Sequence, residues 1–165
     1  MLKSPPHTAR IRLLLEIFPG AKFVHIHRNP YPVFQSSRRT FQLMFQWQGL
    51  QRPTAEGLDD WILGQYREMY EAFFEEKQRI PEGHFHEMSF EDLEKHSVEE
   101  VRRLYAALHL PDFGEVEPEI AEYVQSRASY RKNVFAELSP EFRDRISREW
   151  KVSFAEWGYS LAQDA

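Results

Sequence analysis

The chain has 165 residues, 42% hydrophobic and 28% charged, enough for one domain with a buried core and too apolar for wholesale disorder. It contains no cysteine, which excludes disulfides, thiolate nucleophiles and zinc sites built on sulfur. No apolar run approaches the roughly 18 residues of a membrane-spanning helix, and Met1-Leu2-Lys3-Ser4-Pro5-Pro6 lacks the apolar core of a secretory signal. A single soluble, cytoplasmic domain over residues 1–165 that does not engage a membrane is therefore the expectation.

The net charge of −5 argues against a general nucleic-acid binder, whose affinity depends on neutralising many phosphates. Its distribution is more informative. Residues 1–40 carry seven lysines and arginines (Lys3, Arg10, Arg12, Lys22, Arg28, Arg38 and Arg39) against one acid, Glu16, a local charge of +6, while the rest sums to −11. Such asymmetry fits a first quarter that meets an anion, although solvated basic helix faces would give the same count.

In chain order, Thr8 to Phe18 has helical spacing at Ile11, Leu14, Leu15 and Phe18 and ends at Pro19-Gly20. Lys22 to His27 alternates and is rich in β-formers, so a strand is expected there. Asn29-Pro30 punctuates it, and Pro32 starts a helix running toward Trp47. Gln48 to Gly57 reads as a loop. The longest helix is predicted from Leu58 to about Arg79, with an apolar stripe at Leu58, Trp61, Ile62, Met69, Tyr70 and Phe73.

Phe85 to Ser89 reads as a second strand. Ser97 opens a helix as a capping box with Glu100, and a shorter helix is expected near Ile120 to Val124. Ser139-Pro140 starts the last one, with Phe142, Ile146, Trp150, Phe154 and Trp157 on one face and Gly158 at its end. Helical periodicity assigns these aromatics to the core. Strands alternating with helices imply an α/β layer of parallel strands. With two strands and a stub at Met1 to Lys3, the sheet is expected to be incomplete, the chain mostly helical, and the fold partial or completed by a partner.

The stretch most informative for chemistry is Phe23-Val24-His25-Ile26-His27-Arg28-Asn29-Pro30, continued to Ser36. Arg28 at a strand end and Ser36 early in the next helix offer one anion a guanidinium fork and a hydroxyl, beside a helix N-terminus. A plainer reading stays open: Arg28 pairs with a carboxylate and Ser36 faces solvent. His25 and His27 share a strand face, but with no third ligand nearby they do not make a metal site.

These residues resemble the sulfotransferase family that uses 3'-phosphoadenosine 5'-phosphosulfate (PAPS). The resemblance rests on the Arg28-Asn29-Pro30 turn with Ser36 eight residues after the arginine, and on Leu2-Lys3-Ser4-Pro5-Pro6-His7, similar to the Leu-Lys-Ser-Pro-x-His segment of bacterial members. Ser89-Phe90-Glu91-Asp92-Leu93 is similar to the family's aromatic-Glu-Asp-Leu segment. The resemblance implies a P-loop-like α/β fold, PAPS as co-substrate, and a 3'-phosphate held by Arg28 and Ser36. It places Phe90 near adenine, where tyrosine is more usual. Arg131-Lys132 correspond to a basic loop reaching the same phosphate, though Asn133 stands where glycine commonly follows.

Transfer of a sulfuryl group needs a base for the acceptor and cations for the moving charge. His7 is the candidate base and Lys3 the candidate cation; where other members carry a histidine two residues after the lysine, this chain has Pro5. The family's loop that wraps the 5'-phosphosulfate is expected upstream of Lys3, and no Gly-rich Lys-Ser/Thr stretch replaces it elsewhere. The expectation is a truncated or split sulfotransferase acting on a hydroxyl or amine of a small-molecule, glycan or peptide acceptor, with a complementing chain or homo-oligomer among its partners. The alternatives are a non-catalytic nucleotide-binding module and a helical interaction domain.

Overall fold

The computed structural model describes residues 1–51, 53–127 and 129–161. A 3-10 helix, Pro5–Ala9, leads into α1 (Ile11–Ile17), followed by β1 (Phe23–His27), α2 (Pro30–Gln48) and α3 (Ala55–Glu76) with a 3-10 turn at Lys77–Arg79. After β2 (Phe85–Ser89) come α4 (Phe90–Lys95), α5 (Ser97–Ala107), α6 (Phe113–Ser126), α7 (Pro140–Glu149) and α8 (Lys151–Trp157). The chain divides into two compact units, one of Met1–Arg28 with Glu75–Val134, the other of Asn29–Phe74 with the segment from Phe135 onward.

The first unit is built on the parallel pair β1 and β2, in register from Phe23 opposite Phe85 to His27 opposite Ser89. Among the described residues these are the only two strands, and the predicted stub at Met1 to Lys3 pairs with no neighbour. Alternation puts Phe23, His25 and His27 on one face of β1 and Val24 and Ile26 on the other. Parallel strands are ordinarily covered on both faces. Here His25 is buried, whereas Val24 and Ile26 remain 45% and 47% exposed.

Helix boundaries depart from the sequence reading where capping chemistry overrides periodicity. α2 starts at Pro30, two residues early, because the Asn29 side chain caps it by accepting from the Tyr31 N–H at 3.0 Å, and proline suits the first helical position. Ser97 is not the cap of α5. His96 takes that place, and the Ser97 hydroxyl donates back to the Leu93 carbonyl at 2.7 Å. α6 starts at Phe113 and runs through Pro118, which forgoes a hydrogen bond to the carbonyl of Gly114.

The second unit has an aromatic core: Tyr31 and Phe34 from α2, Leu58, Ile62, Leu63 and Tyr66 from α3, and Ile146, Trp150 and Phe154 from the C-terminal helices. The single helix expected from Pro140 to Gly158 is two, broken at Trp150. That residue is buried and stacked on Tyr66 with ring centroids 3.7 Å apart, and its indole N–H donates to the Leu63 carbonyl at 3.0 Å. A buried indole needs such a partner. Gly158, at φ 65, closes α8 in the left-handed conformation that glycine adopts without strain.

Trp150→Ala removes the stack, the indole hydrogen bond and the largest side chain among the buried residues of this core. It is expected to lower stability by about 3–5 kcal/mol, measured by urea unfolding. Leu43→Ala, on the half-exposed outer face of α2, is expected to change it little.

Candidate anion site at the strand ends

In a parallel pair both strands run the same way, so the residue after one strand lies beside the residue after the other. The last register pair is His27 with Ser89, which makes Arg28 and Phe90 the next residues on each path. They meet: the Arg28 guanidinium carbon lies 4.4 Å from the centroid of the Phe90 ring. The Nε of Arg28 is buried and has no hydrogen-bond partner among the described residues.

Phe90 is fixed from its own side. It opens α4, whose cap Ser89 accepts from the Asp92 N–H at 3.0 Å and donates its hydroxyl to the Asp92 carboxylate at 2.6 Å. Glu87 is likewise engaged, its carboxylate accepting from His25 Nδ1 at 2.8 Å. The carboxylates of Glu87 on β2 and Asp92 on α4 thus each have a partner other than the guanidinium.

His27 is half-buried, and desolvation holds it below the ordinary imidazole value of 6.5; Glu87 pulls the other way, and His25 adds to the depression. The sequence reading missed Glu87 as the partner of His25, since only the ladder register reveals it. Among the described residues no group of three histidines or carboxylates could hold a metal ion.

The remaining predicted residues are dispersed. Lys3 is exposed, in the extended segment before the first 3-10 helix. His7 lies within that helix, and its Nδ1 is buried without a hydrogen-bond partner among the described residues. Arg131 is exposed, and Lys132 donates to Glu94 of α4 at 2.6 Å, a link that no local sequence signal announced. Ser36 belongs to the second unit, half-buried; with α2 starting at Pro30, it is the seventh residue of the helix rather than part of its first turn.

Residues 1–115 match a family profile described as the sulfotransferase family. The chain belongs to that family. All three motif segments of this sulfotransferase-family chain fall inside the matched residues, whereas Arg131 and Lys132 fall outside. It is 36% identical over 159 residues to omega-hydroxy-beta-dihydromenaquinone-9 sulfotransferase Stf3 of Mycobacterium bovis and to the protein of the same name in Mycobacterium tuberculosis. The match covers 96% of this chain and 41% of each relative.

The crystal structure of sulfotransferase STF9 from Mycobacterium avium superposes with a TM-score of 0.78 at 21% identity, covering 97% of this chain and 42% of that one. The likeness to STF9 establishes a shared fold, an α/β arrangement around the parallel pair. The chain thus spans about two-fifths of the length of the relatives it matches.

The depressed His27 gives stability a definite pH dependence. The unfolded chain takes up a proton near 6.5, while folded His27 resists until the pH is lower. Stability is therefore expected to fall as pH drops from 6.5 toward the folded value, with no His27 contribution to the slope above that window. Thermal unfolding of wild type and His27→Gln between pH 7.5 and 5.5 checks this: the substitution is expected to flatten the decline.

Proposed function

We propose that the protein serves sulfuryl transfer from PAPS to a hydroxyl-bearing acceptor, and that this chain grips the 3'-phosphate end of the donor through Arg28. One observation carries the reading: a guanidinium at a strand end, laid on an aromatic ring, with a buried Nε that no described residue satisfies. A buried donor without an acceptor is destabilising, and a phosphate oxygen is the acceptor a guanidinium fork matches best. The residues present thus fit the group that the family implies. When bound, PAPS supplies the activated sulfuryl group and leaves as adenosine 3',5'-bisphosphate.

The other roles rest on the motifs. Ser36 contributes its hydroxyl to the same phosphate, and Arg131 and Lys132 add charge to it, Lys132 exchanging Glu94 for the ligand. His7 takes the proton of the acceptor hydroxyl, the general-base role open to an imidazole nitrogen. Lys3 offsets the negative charge that develops on the oxygen leaving sulfur. A hydroxyl is favoured over an amine as acceptor because the mycobacterial relatives are named for an omega-hydroxy quinone.

Calorimetry with adenosine 3',5'-bisphosphate tests the clamp. Arg28→Ala removes a charge-assisted fork and is expected to weaken binding by about tenfold to a hundredfold. Equal affinity in wild type and variant would remove the pocket from consideration.

A further inference from the structure

We infer that Phe90 is a positioning residue whose ring holds the Arg28 guanidinium ready for phosphate, rather than a platform for the adenine base. The inference rests on the reading of Arg28 as the phosphate ligand and adds how that arginine is kept in place.

An arginine that waits for an anion has a physical difficulty. Its side chain is long, and ordering it only when the ligand arrives lowers affinity. Locking it beforehand with a carboxylate would occupy the same N–H donors that the phosphate needs and would neutralise the charge. An aromatic face avoids both penalties. It attracts the cation through the ring quadrupole, defines the plane of the guanidinium and consumes none of its five N–H groups.

The structure has this arrangement. The guanidinium carbon stands 4.4 Å from the Phe90 centroid, well inside the roughly 6 Å range of a cation–π contact. Nε is buried without a hydrogen bond among the described residues, so the stacking does not compete with a protein acceptor at that atom. The ring is itself anchored, because β2 places it and the Ser89–Asp92 cap fixes the first turn of α4. Phe90 has no polar atom with which to recognise a base edge, and one of its two faces is already taken by Arg28.

A double-mutant cycle decides the matter. Affinity for adenosine 3',5'-bisphosphate is measured by calorimetry, at low ionic strength so that the weaker variants still bind, for wild type, Phe90→Leu, Arg28→Ala and the double variant, with Phe90→Tyr as rescue. Phe90→Leu is expected to weaken binding by about threefold to tenfold, the size of one lost cation–π contact, and Phe90→Tyr to stay within about twofold of wild type. In the Arg28→Ala background, Phe90→Leu is expected to have no further effect, because the ring acts only through the guanidinium.

Additive losses would mean that the ring serves the base or the fold independently of Arg28, and would overturn the inference. So would a Phe90→Leu protein that binds like wild type while Arg28→Ala binds weakly; that result leaves the clamp intact. If Arg28→Ala itself binds like wild type, the clamp falls and the inference with it.

Discussion

The parallel pairing of β1 with β2 is the constraint on which the candidate site depends. Five residue pairs set the register, and it determines both the His25–Glu87 contact within the ladder and the meeting of Arg28 with Phe90 just past its end. A one-residue slip would turn each side chain to the opposite face and place Ser89 or Glu91 opposite Arg28. The guanidinium would then face a hydroxyl or a carboxylate instead of a ring. Buried His25 and Met88 help to hold the register.

Charge in the first quarter of the chain divides into cations used by the fold and cations left for other purposes. Lys22 donates to the carbonyls of Leu108 and His109, and the Arg38 Nε lies 2.9 Å from a carboxylate oxygen of buried Asp59. Desolvation raises the Asp59 pKa above its ordinary value, with Arg38 and Arg145 opposing the shift. The Arg28 guanidinium lies on an aromatic ring instead, and Lys3 is exposed. The excess of positive charge is thus partly structural, and its sign alone did not distinguish an anion site from ordinary packing.

Much of the fold was legible because it is written in local periodicity. The two strands and the long helices were found within a few residues, since a two-residue or 3.6-residue apolar repeat depends only on which face is buried. Errors gathered at boundaries, where a single side chain decides. Asn29 drew the start of α2 forward, Ser97 turned back to Leu93 instead of capping α5, and Trp150 interrupts what reads as one amphipathic helix. These outcomes depend on competing hydrogen bonds, which periodicity does not weigh.

By itself, the sequence determined the types of most elements, the share of the second unit's core that comes from Leu58, Ile62, Ile146, Trp150 and Phe154, and the motif that places an arginine at a strand end. Only the tertiary structure decided that this arginine rests on Phe90, that Lys132 reaches Glu94 and that Glu87 answers His25. Each of these contacts joins residues far apart along the chain. Their meeting is set by strand register and helix placement, which no local propensity encodes.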